Sequence, residues 1–195
     1  MSIFELYLRL GIEHIADLKG YDHILFIITL CAVYSLRDWR RILLLITAFT
    51  IGHSLTLILA TLNFIRVNND LIEFLIPLTI FLTALANLFT RKEKVSRTLH
   101  YLKYTAALFF GLIHGLGFSG YLKTLLGQEK NIVSPLLAFN IGIELGQILV
   151  VAVIMILTFL AVDLMKIKRR EWNVALAGAG LGISLILMIE RFPFL

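Results

Sequence analysis

Charge and cysteine are both scarce in this 195-residue chain. Only 16% of its residues are charged, against about 25% in an ordinary soluble domain. The hydrophobic share is 59% and the mean hydropathy is +0.89. Soluble, fibrous and disordered classes are thereby excluded, and an integral membrane protein is expected. The single cysteine, Cys31, lies inside an apolar run. It excludes an intramolecular disulfide, a disulfide-rich secreted scaffold and a cysteine metal cluster. The opening MSIFELYLRLGIEH has no basic n-region and carries Glu5 and Glu13, so it does not read as a cleavable signal peptide. HExxH and other specific catalytic motifs are also lacking.

What the chain does have is a modest excess of basic residues, 18 Lys and Arg against 13 Asp and Glu, for a net charge of +5. A basic chain often binds nucleic acid. Here the basic residues sit in short clusters between apolar runs, the signature of cytoplasmic membrane loops, so no nucleic-acid partner is expected.

A helix needs about 20 apolar residues to cross the hydrocarbon core. The apolar runs predict an all-α membrane protein with six spans, at 22–36, 42–62, 71–89, 99–119, 134–163 and 172–191. The first is short and the fifth long. Residues 1–195 read as one polytopic domain, with an outer helix over 1–20 and a six-helix bundle over 21–195. Loop 37–41 (Arg37, Arg40, Arg41), segment 90–103 (Arg91, Lys92, Lys94, Arg97, Lys103) and loop 166–171 (Lys166, Lys168, Arg169, Arg170) hold 12 of the 18 basic residues. The positive-inside rule makes these cytoplasmic and places both termini outside.

Residues 4–18 predict an amphipathic helix on the outer surface. Phe4, Tyr7, Leu8, Ile12, Ile15 and Leu18 form one stripe; Glu5, Arg9, Glu13 and Asp17 form the opposite one. His14 falls at the apolar edge, and Lys19-Gly20 breaks the helix. A possible internal repeat links AFTIGHSL (48–55) to AFNIGIEL (138–145), identical at five of eight positions. These lie in spans two and five, which run oppositely. Two three-span halves of inverted topology would result, an arrangement of many secondary transporters; chance matching of apolar residues is the alternative.

Ionisable side chains inside membrane spans are costly, and each is a functional candidate. They are Asp22, His23, His53, His114 and Glu144, with His14 just outside the spans. At 1.5 Å per residue, His53 lies about 16 Å from the inner end of its span, His114 about 22 Å from the inner end and Glu144 about 15 Å from the outer end. With Asp22 and His23 at the outer end of span one, all fit one outward-facing cavity, and the inner half offers nothing comparable. Each also has a plainer reading as a helix-bridging or interfacial group, and Asp22 suits an N-cap. His100, beside the basic segment, reads as interfacial. Thr50 shares a face with His53, and Asn140 and Gln147 share one with Glu144. They are expected to orient the ligands from behind. Imidazole plus carboxylate without thiolate suits Ni²⁺, Co²⁺, Zn²⁺ or Fe²⁺.

The segments HIADLKGYDHILFIITL (14–30), FTIGHSLTL (49–57), FGLIHGLGFSGYL (110–122) and FNIGIELGQ (139–147) resemble the HupE/UreJ family of bacterial membrane proteins, along nearly the whole chain. The resemblance implies transport of nickel or cobalt for hydrogenase or urease maturation. The family's opening motif, a His followed by Asp-His, falls on His14, Asp22 and His23, with seven residues between His14 and Asp22 rather than five. Its later His-Gly string is represented by His114 alone.

Three functions are open on the residues themselves. A permease would pass a divalent cation from His14, Asp22 and His23 to His53, His114 and Glu144. An intramembrane metal-dependent hydrolase or transferase would use the same ligands to activate water, with Glu144 or Asp22 as base. A haem protein would use His53 and His114 as axial ligands. A purely structural subunit is the alternative without a site. Membrane lipid and a metal ion are the expected partners.

Overall fold

The computed structural model describes residues 2–90, 97–127 and 131–192, and all regular structure among them is helical. The helices are α1 (Ile3–Ala16), α2 (Asp22–Cys31), α3 (Trp39–Thr61), α4 (Asn69–Phe89), α5 (Arg97–Leu126), α6 (Val133–Thr158) and α7 (Arg169–Glu190). A 3₁₀ turn, Leu36–Asp38, leads into α3, and α6 continues as a π-helix over Phe159–Leu164. Arg91, Lys92, Lys94 and Lys130 lie outside the described residues.

Five of these helical segments, containing α3 to α7, are long and apolar enough to cross a membrane, so the chain is a multi-pass membrane protein. The expected first span over 22–36 does not form. Its helix α2 has ten residues, about 15 Å, which is half a crossing. The reason is local. Asp38 accepts from the backbone N–H and the hydroxyl of Ser35 at 3.2 and 2.8 Å, starting a new helical turn.

The expected surface helix is also corrected. α1 begins at a capping box, in which Ser2 and Glu5 bond each other's backbone N–H. It then packs lengthwise against α6. Its buried face is centred on Tyr7, Gly11 and Ile15, whereas Phe4 is 39% and Leu18 81% exposed. Gly11 decides this. A Cβ there would collide with the Phe139 carbonyl of α6, so only glycine lets the two backbones touch. Gly11 meets Phe139 and Ile143, while Gly146 meets Ile12 and Ile15. The contacts advance together along both chains, so α1 and α6 run in the same direction.

A second seam has the same form. Gly52 of α3 meets Leu108 and Leu112 of α5, and Gly111 of α5 meets Phe49 and His53 of α3. Adding 90 carries Phe49, Gly52 and His53 onto Phe139, Gly142 and Ile143. Adding 100 carries Leu8, Gly11 and Ile12 onto Leu108, Gly111 and Leu112. The same second shift carries His14 onto His114.

The α3 and α6 helices are joined by three side-chain bonds: Thr47 to Glu144 (2.7 Å), Thr50 to Gln147 (2.8 Å) and Ser54 to Asn140 (2.7 Å). α4 packs against α7. At the α7 N-terminus, Arg170 donates to the Leu88 and Thr90 carbonyls at 2.7 and 3.2 Å. This satisfies orphan acceptors at the negative end of α4. Arg169 does the same for the Val33 carbonyl after α2, at 3.2 Å.

Candidate metal centre

Four helices each contribute one histidine to a single cluster: His14 from α1, His23 from α2, His53 from α3 and His114 from α5. Ring centroids of His14 and His23 are 4.5 Å apart, His14 and His53 5.8 Å, His23 and His53 5.9 Å, and His23 and His114 5.2 Å. His53 and His114 are fully buried, and His23 nearly so. Residues 14 and 23 flank the break between α1 and α2. There Asp17 ends α1 and turns the chain by accepting from the Lys19 N–H at 2.8 Å. The break carries the chain from one helix to the next, and so brings both histidines onto the same point.

One ligand atom from each of His14, His23 and His53 lies within 4.8 Å of the others. Three ligands held about 2.1 Å from one ion stand roughly 3.0–3.6 Å apart, so modest movements of the rings would bring the trio onto one cation. Nε2 of His14, Nε2 of His23, both ring nitrogens of His53 and Nδ1 of His114 are buried and have no hydrogen-bond partner among the described residues. An unsatisfied buried polar group costs about 1–3 kcal/mol. A cation would satisfy one such nitrogen from each of these rings.

His114 is held from behind by Thr79 of α4. The Thr79 hydroxyl lies 2.7 Å from the Ile76 carbonyl and 3.0 Å from His114 Nε2. Both bonds are satisfied together only when the hydroxyl donates to Ile76 and Nε2–H donates to the hydroxyl oxygen. The lone pair of His114 then resides on Nδ1, the unpartnered nitrogen. Sequence reasoning missed Thr79, because nothing in the pattern of α4 links it to a residue 35 positions away.

The wall of the cluster is aromatic. Phe118 lies 3.9 Å from the His14 ring and stacks on Phe139; Phe49 lies 5.1 Å from His114, and Phe26 5.4 Å. Such a shell keeps water away from the cluster.

The other expected ligands stand apart. Glu144 accepts from Thr47, which lies six residues, about 9 Å, before His53 on α3. It belongs to the α3–α6 seam, as one position beyond the inward-facing Ile143 turns it about 100° away. Thr50, Asn140 and Gln147, expected behind the ligands, bond across the same seam or to their own helix. Asp22 pairs with Arg191 at the end of α7 at 3.0 Å, and its second oxygen is buried without a partner. It is the first residue of α2 rather than its N-cap, which is Tyr21.

The half of the bundle expected to face inward carries more polar groups than expected. Asn87 of α4 donates to the Thr29 carbonyl of α2, and its own carbonyl accepts from Asn173 of α7 at 3.0 Å. Lys103 of α5 reaches Asn87 at 3.5 Å and lies over the Tyr34 ring. His100, expected at the interface, is buried between Tyr34 and Tyr104.

These features define a multi-pass helical membrane protein with a buried histidine cluster beside a broken helix. The chain belongs to the HupE/UreJ family: the family model described as HupE / UreJ protein matches residues 1–191. No curated protein and no solved structure matches the chain.

Proposed function

We propose that the chain is a permease for a divalent transition-metal cation, nickel or cobalt, which His14, His23, His53 and His114 hold in passage. The observation that carries this is the convergence of four buried imidazoles whose free nitrogens have no other partner. Membership of the HupE/UreJ family supports it. An all-imidazole set suits Ni²⁺ and Co²⁺ by ligand type. Among the described residues no carboxylate joins the trio within 4.8 Å, so none of them neutralises the cation's charge at contact. That keeps the hold loose, as a carrier requires.

The broken first segment fits the same reading. Discontinuous helices commonly form transporter ion sites, where a half-helix C-terminus turns its partial negative charge toward a cation. α1 ends two residues after His14. In the proposed topology α1 and α2 together make the first of six crossings, with both termini outside and the arginine-rich ends of α3 and α7 in the cytoplasm. The two glycine seams support a repeat that pairs α3 with α6 and α1 with α5. His14 and His114 would then be equivalent ligands from the two halves. Asn87, Asn173 and Lys103 supply polar groups along the inward route.

The hydrolase reading has no geometric support. Its two base candidates, Glu144 and Asp22, are engaged with Thr47 and Arg191. The haem reading fares no better, since the rings of His14, His53 and His114 all pack on His23 and leave no slot for a macrocycle.

Titration of nickel into the purified chain tests the site. One ion per chain is expected, with affinity reduced at least about tenfold by His23→Ala or His53→Ala in folded protein. Folded wild-type protein that binds no divalent ion would overturn the reading.

A further inference from the structure

A separate cavity of about 830 Å³ opens at the end of the bundle that carries the arginine clusters, between the start of α3, the π-helix after α6 and the start of α7. Arg37, Arg41 and Arg169 are among its lining residues, together with Leu36, Phe159 and Val162. Its size falls within the range of ordinary ligand sites, about 300–1,000 Å³.

The charges in it do not cancel. Asp38 lies on the wall, but it is already bonded to Arg41 at 2.9 Å and to Ser35. Asp163 is exposed at the rim. Arg169 gives one N–H to the Val33 carbonyl and also lies close enough to Asp38 to interact with its charge. Arg37 makes no ion pair among the described residues. Three guanidiniums therefore line the cavity against two carboxylates, and Arg37 is the one left to pair with an anion.

Backbone donors add to this at α7 alone. Its N-cap Lys168 makes no side-chain cap bond, so its first-turn N–H groups are left for an acceptor, and the helix dipole favours an anion. The start of α3 is already served by the 3₁₀ turn and its Ser35–Asp38 capping box.

The occupant must match both the guanidiniums and the apolar side chains of the lining. We infer that the cavity binds an anionic phospholipid, its headgroup phosphate between Arg37 and Arg169 and its acyl chains along Phe159 and Val162. Guanidinium pairs with phosphate bidentately, and basic pockets between membrane helices take anionic headgroups. Free phosphate shares the polar half of this chemistry but leaves the apolar half unused. The inference is independent of the histidine cluster, which lies elsewhere in the bundle.

Native mass spectrometry of the full chain, reconstituted with phosphatidylglycerol or with phosphatidylcholine and then extracted, tests it. The wild type is expected to retain one phosphatidylglycerol and no phosphatidylcholine. Arg37→Gln and Arg169→Gln should each lower retention about tenfold, the loss expected for one charged hydrogen-bonding partner. Arg66→Gln, away from the cavity, should retain it fully. Thermal unfolding of each variant in detergent shows that the fold persists, and Arg37→Lys should recover part of the retention. Equal retention of both lipids, or retention unchanged in both glutamine variants, would overturn the inference. So would stabilisation by inorganic phosphate alone without any retained phosphatidylglycerol.

Discussion

Thr79 fixes the tautomer of His114. Its hydroxyl donates to the Ile76 carbonyl at 2.7 Å and accepts from Nε2 of the ring at 3.0 Å, which leaves the lone pair on Nδ1. A partner behind a ligating histidine typically governs 10–100-fold in metal affinity.

Thr79→Val keeps the shape of α4 but removes the oxygen. Nickel affinity should fall by about 10-fold or more, while stability changes only by about 1–3 kcal/mol for the unsatisfied Nε2–H. Calorimetric titration alongside thermal unfolding separates the two. Unchanged affinity would show that His114 does not hold the ion.

Glu144→Gln addresses the opposite case. Glu144 bonds Thr47 on the α3–α6 seam, and glutamine can still accept that bond. Nickel affinity should stay within about threefold of wild type, well short of the loss expected at a ligand. A loss as large as that of His53→Ala, measured by the same titration, would place Glu144 at the ion after all.

The glycine seams make a prediction about stability. A Cβ on Gly52 or Gly142 would strike the backbone carbonyl of Leu108 or Leu8. Gly52→Ala and Gly142→Ala should each destabilise by about 1–3 kcal/mol or more, the cost of overpacking. Gly178 and Gly182 face open space. Alanine there should be neutral or stabilising by up to about 1 kcal/mol. Thermal unfolding in detergent reads both, and equal effects at all four positions would remove the special status of the seams.

Asp22 and Arg191 tie the start of α2 to the end of α7, with side chains 15% and 28% exposed. Arg191→Met leaves a mostly buried carboxylate alone and should destabilise by about 1–3 kcal/mol, less than a fully buried pair would. The double variant Asp22→Asn, Arg191→Met should recover part of that loss. A double variant no more stable than Arg191→Met would show that the pair is not coupled.

Much of this architecture was legible in the chain. The membrane class followed from the rarity of charge, and the long helices from their apolar runs, because a crossing helix needs little beyond length and hydrophobicity. His23, His53 and His114 stood out as ionisable side chains in apolar runs, and His14 as one just outside them. Register between helices was not legible. Periodicity says that Thr50, Asn140, Glu144 and Gln147 share faces with their neighbours, but not which helix those faces meet. α1 looked like a surface helix because its charged stripe was conspicuous, while Gly11, the residue that docks it on α6, carries no hydrophobic signal. Asn87 and Thr79 escaped notice for a related reason, since their partners are distant in sequence and uncharged.

Uptake of nickel into proteoliposomes containing the purified chain tests the central claim most directly. The account predicts saturable accumulation under an inward nickel gradient, competed by cobalt and lost in a folded His53→Ala variant. Stoichiometric nickel binding with no accumulation above protein-free liposomes would contradict it and leave the histidine cluster as a site that holds metal without moving it.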